Sequence, residues 1–294
     1  MDSILCPLCQ HSTLGLVTKR GRMSVDSCDV CGLLWGRTDL SVAEASSGAI
    51  PTNPAHFDML VDRDNEWRSI MSKMIDRRMS VFRDICGETP VNWLEIGPGN
   101  GGLAEILADR ELTWQGVEID RDMAARMRAT GKNVVHADFA EFDVAKILPD
   151  HLKERGGFDL VFFSQVFEHV TAPAKFLKNV YDCLRPGGIV YVDVPNNGGL
   201  TAALRTYWPF ALGYGEIVPP HHMIAYGANT LGFALRSAGF EKVQTFARAY
   251  DDRCFGLAHA HMETRLKMKA IWLASRIFAM GGNLVGLARR PILS

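Results

Sequence analysis

Apolar residues follow two different periods along this chain. Between Val91 and Pro195, short and almost uninterrupted apolar runs recur at "VNWLEIG", "WQGVEID", "NVVHADF", "FDLVFFSQV" and "GIVYVDVP". Each has the length of a strand, and apolar runs without polar alternation mark strands covered on both faces. Between them, Leu103 to Arg110, Met123 to Thr130 and Pro173 to Leu184 carry apolar residues at helical spacing. The alternation predicts right-handed crossovers and a mostly parallel sheet, whose ligands sit beyond the carboxyl ends of the strands. Upstream, Trp67, Ile70, Met71, Met74, Ile75, Phe82 and Ile85 recur at three- and four-residue spacing and predict one amphipathic helix. Downstream, "KVQTFARAY" and "RCFGLAHAHM" predict two strands joined at Asp251 and Asp252. In the tail, Leu266, Ala270, Leu273, Ile277, Met280 and Leu284 stand at near-heptad spacing and predict a helix, packed on the domain or on a second copy in a homodimer.

Composition places limits on this picture. A chain of 294 residues, 47% hydrophobic and 22% charged, buries one large core and a small satellite. Lys and Arg (32) balance Asp and Glu (33), so no global field recruits nucleic acid. "MDSILCPLCQ" lacks the basic start and apolar stretch of a signal peptide, which predicts a cytoplasmic protein with reduced thiols. From Arg265 to Ser294 every charged side chain is basic. Arg276 and three glycines interrupt "IWLASRIFAMGGNLVGLA", so a spanning helix is not expected, and peripheral contact with the inner membrane face is the alternative to helix packing.

Cys6-x-x-Cys9 and Cys28-x-x-Cys31 are identical knuckles separated by 18 residues, the spacing of a four-thiolate zinc ribbon. A closed four-sulfur site leaves no position for substrate, so the expected Zn2+ is structural. In so short a segment the ion would supply much of the folding free energy. Cys86, Cys183 and Cys254 sit among apolar neighbours and read as packing residues. "SVAEASSGAIPTNPAHF" reads as a linker.

The first strand runs into the glycine-dense loop "LEIGPGNGG". Gly97, Gly99 and Gly102 satisfy the G-x-G-x-x-G fingerprint of dinucleotide enzymes, whereas Gly97, Gly99 and Gly101 satisfy a tighter G-x-G-x-G. Glu118, 19 residues after Gly99 in "GVEID", stands where a carboxylate accepts from the ribose hydroxyls of a bound adenosine, which suits either cofactor. Asp138 in "HADF" points away from the dinucleotide reading: a carboxylate there accepts from an adenine amino group, and Phe139 offers a face for stacking.

These motifs, with "FDLVFFSQVFEHV" and "CLRPGGIVYVDVPN" following in order, resemble the class I S-adenosylmethionine-dependent methyltransferases from about Val91 to Phe240. The resemblance implies an α/β fold, a seven-stranded Rossmann-like sheet with helices on both faces, here preceded by a small zinc ribbon. It implies S-adenosyl-L-methionine as cofactor, with Glu95 accepting from the methionine amino group or ordering the loop. Gly97, Gly99 and Gly101 would let backbone approach the ligand, Glu118 and Ile119 would hold the ribose side, Asp138 and Phe139 the adenine, and Ser164 and Gln165 the methionyl end. The cysteine knuckles, "CDVCGLLW" and this domain together look like a bacterial subgroup that methylates sugars, glycan precursors or secondary metabolites. The expected organisation is a ribbon at 1–45, a linker and lead-in helix at 46–88, the methyltransferase domain at 89–260 with an insertion at 196–222, and a basic amphipathic helix at 261–294.

Methyl transfer to a hydroxyl or a carbon acid needs a base, and imidazole titrates near neutrality. His169, after the fourth strand, and His221 and His222 in "PPHHMIAYGANTLGFALRSAGF" are the candidates, with His222 in the place of the family's histidine. The insertion, dense in Gly, Pro and aromatic residues, would carry specificity, with Arg205, Tyr207 and Trp208 able to meet an acidic sugar or a ring. Three other readings stand beside this one: a zinc-ribbon RNA methyltransferase, a non-catalytic protein that binds the cofactor, and a dehydrogenase. The balanced charge and the absence of a basic, aromatic-interleaved stripe weigh against RNA.

Overall fold

The computed structural model describes residues 4–13, 15–20, 23–38, 64–207, 215–217, 222–248, 273 and 280–292. A 23-residue helix, α1 (Asp64–Cys86), leads into strands β6 (Asn92–Ile96), β7 (Thr113–Glu118), β8 (Val134–His136), β9 (Phe158–Ser164) and β10 (Leu184–Pro195). Helices α2 (Gly102–Ala108), α3 (Arg121–Ala129), α4 (Asp150–Arg155) and α5 (Pro173–Cys183) connect them. After α6 (Leu200–Tyr207) and α7 (Ala228–Ser237), β12 (Glu241–Arg248) and β13 (Asn283–Arg289) complete a seven-stranded sheet of order β12-β13-β10-β9-β6-β7-β8. Strands β6 to β10 pair in parallel, and β13 runs antiparallel to both of its neighbours.

Consecutive residues of the central strands enter opposite clusters, which is why these strands lack polar alternation. Leu160, Phe162 and Tyr191 join Met71, Ile75 and Phe82 of α1 on one face. Val161, Phe163 and Val192 join Phe176 and Leu177 of α5 and Leu231 and Leu235 of α7 on the other. At the opposite end of the sheet from the glycine loop, Asp159 accepts from the Asn92 backbone and side-chain amides, each at 2.8 Å, and from Arg185 Nε at 2.5 Å. These bonds hold its carboxyl below the usual range even though burial opposes ionisation.

The closing strand corrects two expectations. The antiparallel partner of β12 is Asn283–Arg289, drawn from the tail read as helix. The predicted strand "RCFGLAHAHM" and the remainder of the proposed hairpin lie outside the described residues, as do most of 261–279. Leu284 fits a heptad extended from Leu266, but "NLVGLA" is a short apolar run bounded by Gly281-Gly282 and Pro291, and its two faces are both covered. The methyltransferase-type sheet therefore extends to residue 289, past the expected boundary at 260. Gly286 faces α7, where an added Cβ would come within 2.8 Å of Val192 Cγ1 and 3.0 Å of Leu231 Cδ2 and Leu235 Cδ1.

At the N-terminus, β1 (Ile4–Leu5) and β2 (Ser12–Thr13) form a hairpin, and β3 (Gly15–Arg20), β4 (Met23–Ser27) and β5 (Leu34–Thr38) form an antiparallel sheet. Its fourth strand is β11 (Ile224–Ala225), which pairs with Leu34 and Trp35. Leu33, Trp35 and three of the cysteines continue the cluster that holds Phe163 and Tyr226. The N-terminal module is thus built into the main core. No helix among the described residues is long and apolar enough to cross a membrane.

Candidate active site

The parallel order β9-β6-β7-β8 brings four carboxyl ends side by side, and the sequence-predicted residues fall there. After Ile96 the chain turns through Gly97, Gly99 and Gly101, all at positive φ (67°, 58° and 75°). The Gly101 amide donates to the Pro98 carbonyl at 2.9 Å, and the Gly102 amide to Asn100 Oδ1 at 3.1 Å. Gly97 is a close approach, because a Cβ there would lie 2.6 Å from Val166 Cγ2. Gly99 is different: among the described residues nothing lies within 4 Å of a Cβ placed on it. Its left-handed backbone borders open space of the kind a ligand occupies.

Glu118, at the end of β7, lies against this loop. It is buried, its Oε1 accepts from the Asp120 amide at 2.9 Å, and burial raises its carboxyl while the amides of Asp120, Ile119 and Gly99 act in the opposite direction. The Gly99 amide therefore donates towards the Glu118 carboxyl and ties the loop to β7. Ile119 beside it is 65% exposed. Asp138 is exposed and accepts from the Ala140 amide at 2.9 Å. Phe139 turns inwards, 5.1 Å from Phe176 between ring centroids, so the apolar surface at this edge is Ile119 and not the Phe139 ring.

Glu95 lies in β6 between these loops and the core. Trp114 Nε1 donates to its Oε2 at 2.8 Å, and burial, with a contribution from Glu118, pushes its carboxyl up to about 8. Ser164 ends β9, half-buried and in register with Asp193. Gln165 follows at φ 56°, a left-handed conformation that costs a non-glycine residue about 1–2 kcal/mol, and its amide donates to the Asp193 carbonyl at 2.8 Å.

Beyond Gln165 the 3-10 turn Phe167–His169 presents a second group. The Nε2 atoms of His169 and His222 lie 3.9 and 4.0 Å from Glu168 Oε1, and the imidazole centroids are 5.1 Å apart. The Met223 amide donates to the Glu168 carbonyl at 3.1 Å and the Met223 carbonyl accepts from Gly36 at 2.7 Å, so backbone ties His222 to the turn and to the N-terminal module. Both imidazoles are partly exposed while Glu168 is buried. Burial, with Asp193 and Glu216 adding to it, raises the Glu168 carboxyl to about 8. His221 lies outside the described residues, as do the side chains of Arg205, Tyr207 and Trp208.

Residues 63–245 match a protein family described as a methyltransferase domain. The chain belongs to this methyltransferase family. Over 154 residues it is 32% identical to a probable S-adenosylmethionine-dependent methyltransferase of Mycolicibacterium smegmatis, covering 52% of each chain. Over 133 residues it is 30% identical to a trans-aconitate 2-methyltransferase of Rhodopseudomonas palustris, covering 42% of this chain and 48% of that one. The chain spans about half the length of these curated relatives. A methyltransferase structure from Archaeoglobus fulgidus matches at TM-score 0.50 and 21% identity, covering 76% of this chain and 94% of that one. A phosphoethanolamine N-methyltransferase 2 from Haemonchus contortus matches at 0.54 and 17%, covering 88% and 62%. At these identities the structures share the fold.

Glu168, Asp193, Glu216 and Tyr226 are buried near this end of the sheet and were absent from the expected site residues. Tyr226 stacks on Phe167 at 4.7 Å, and its hydroxyl, like both Glu168 oxygens, has no hydrogen-bond partner among the described residues. The Glu-His pair that closes "FDLVFFSQVFEHV", in the turn after β9, is the sequence signal that marked Glu168.

In the N-terminal module Cys6 Sγ lies 3.5 Å from Cys31 Sγ and Cys9 Sγ 3.6 Å from Cys28 Sγ, and the four sulfurs fall within 4.8 Å of one another. Zn–S bonds of about 2.3 Å in a tetrahedron separate sulfurs by about 3.8 Å, so the spacing fits such an ion. Burial raises the Cys6 thiol to about 11; at Cys28 burial acts the same way, but the amides of Cys31 and Val30 outweigh it. Amides turned onto the sulfurs are the donors a thiolate site requires.

Proposed function

We propose that this protein transfers a methyl group from S-adenosylmethionine to a small-molecule acceptor, of the class of sugars, glycan precursors or secondary metabolites. The observation that carries the reading is the open space at left-handed Gly99, whose amide donates to the buried Glu118, at the strand-order reversal. Bound there, S-adenosylmethionine would supply a methyl group already activated by its sulfonium. Glu118 accepts from the ribose hydroxyls, Asp138 from the adenine amino group, and Glu95 from the ammonium. Ser164 and Gln165 flank the methionyl end. Residues at the ends of β9 and β10 then align the acceptor and exclude water, an orientation effect worth several kcal/mol. His222 and His169 take the acceptor's proton. Cys6, Cys9, Cys28 and Cys31 hold a structural Zn2+.

Calorimetry with S-adenosylmethionine and a methyl-transfer screen over nucleotide sugars test this reading. The expected result is cofactor binding by the wild type, by His222→Ala and by His169→Ala, with turnover lost in at least one variant. Absence of binding at millimolar cofactor refutes the enzyme, and full turnover in both variants refutes the histidine role. A salt-dependent RNA complex of micromolar affinity would transfer the reading to RNA.

A further inference from the structure

We infer that Glu168, His169 and His222 form a binding site for a divalent first-row transition ion, separate from the four-cysteine module. Three independent observations converge on it. The first is geometric: the Nε2 atoms of both histidines approach the same carboxylate oxygen at 3.9 and 4.0 Å. Those separations are too long for hydrogen bonds. They are below twice a metal–nitrogen or metal–oxygen bond of about 2.1 Å, so a single ion between the three groups reaches each of them with shifts of a few tenths of an ångström. The three ligand atoms all lie within 4.8 Å of one another.

The second observation is the state of Glu168. Its side chain is 2% exposed and neither carboxylate oxygen has a hydrogen-bond partner among the described residues. A buried carboxylate without partners costs several kcal/mol, and a cation bound to it removes that cost. The third is the donor set. Two imidazoles and one carboxylate, with both imidazoles partly open to solvent, leave coordination positions for a substrate, unlike the closed four-sulfur site.

The chemical role of the ion rests on the methyl-transfer reading above, while its binding does not. An acceptor hydroxyl coordinated at the open positions becomes more acidic and gives its proton to solvent. Its oxygen lone pair then forms the bond to the methyl carbon, and the carbon–sulfur pair returns to sulfur, leaving a neutral thioether. The imidazoles act in this scheme as ligands in place of the base role, and the turnover left after removal of the second ion alone separates the two.

Co2+ added to zinc-loaded, full-length protein distinguishes the two sites, because cobalt on thiolates gives intense charge-transfer absorption and cobalt on nitrogen and oxygen gives only weak visible bands. The expected result is one additional Co2+ per chain without thiolate absorption, and one Mn2+ per chain by electron paramagnetic resonance. Glu168→Gln, which keeps the size of a buried neutral carboxyl, and His222→Ala should each weaken Mn2+ binding by more than the roughly 10–100-fold that loss of an outer-sphere partner costs. Zinc content and S-adenosylmethionine affinity report that both variants fold. No additional ion at millimolar Mn2+ or Co2+, or equal affinity in both variants, overturns the site. Full turnover after removal of the second ion alone overturns its role in the reaction. Ion binding without cofactor binding would sink the methyltransferase reading and leave the site standing.

Discussion

Binding of S-adenosylmethionine should release a proton from Glu95, and the size of the effect follows from its surroundings. Glu95 is buried with one donor, Trp114, and its carboxyl is raised to about 8. A raised carboxyl is neutral below that pH, so at pH 7 about nine chains in ten carry it protonated in the free protein. An ammonium placed against it favours the ionised form. Affinity should then rise about tenfold for each pH unit between pH 6 and 7, some 1.4 kcal/mol, with close to one proton released. The rise should end near pH 8, where Glu95 ionises unaided and an α-amine of the ligand begins to lose its own proton. Calorimetry at pH 6, 7 and 8 in two buffers of different ionisation enthalpy measures both quantities. Glu95→Gln should bind more weakly at pH 8 and lose the dependence between pH 6 and 7. An unchanged slope in that variant, or no proton exchange in the wild type, would refute the placement of the ammonium at Glu95.

The same raised carboxyls set the pH dependence of folding without ligands. Glu95 and Glu168 bind protons more tightly folded than unfolded, so their contribution is fully present below about 4.5 and is lost as pH rises through about 8; the melting temperature of cofactor-free protein should fall between pH 6 and 9, and less so in Glu95→Gln/Glu168→Gln. Gly99→Val should weaken S-adenosylmethionine binding by at least tenfold with the fold retained, since its side chain enters open space; its left-handed backbone adds a stability cost of about 1–2 kcal/mol, read by urea denaturation. Gly286→Val should cost about 1–3 kcal/mol by overpacking against Val192, Leu231 and Leu235, and a denaturation midpoint equal to wild type would contradict the packing of β13 under α7. Cys28→Ser should reduce turnover more than cofactor affinity, and equal losses in both would contradict the separation of the two sides of the site.

The parts of this fold that were legible are those where a strand is buried on both faces. Leu160, Val161, Phe162 and Phe163 feed opposite clusters in turn, which writes an uninterrupted apolar run into the chain. The glycine loop was legible for a different reason: positive φ at three positions within five residues demands glycine and leaves a compositional trace. What escaped has no such local trace. The second residue of β13, Leu284, also satisfies a heptad, and the strand's pairing with β10 and β12 is wholly non-local. Phe139 reads as an aromatic next to an acid, and only the third dimension turns it onto Phe176. Glu168 stood in plain view before His169. Its importance depends on His222, 54 positions away along the chain, and on the burial that strips its carboxylate of partners.

The N-terminal module occupies a place in this arrangement that a detached ribbon would not. Two residues, Ile224 and Ala225, add a fourth strand to it, and a two-residue strand is too short to hold its position alone. Pairing with Leu34 and Trp35 fixes that strand, and Met223 just before it is bonded on one side to Gly36 and on the other to Glu168. His222 therefore takes its position from the module through one residue of backbone. Gly97, Glu118 and Asp138 stand at the carboxyl ends of β6, β7 and β8, strands that among the described residues do not pair with the module's sheet. A structural ion in the four-cysteine site would thus set the geometry of the acceptor side while leaving the cofactor side to the central sheet. That division gives a physical reason for a closed metal site in a protein whose proposed chemistry takes place elsewhere.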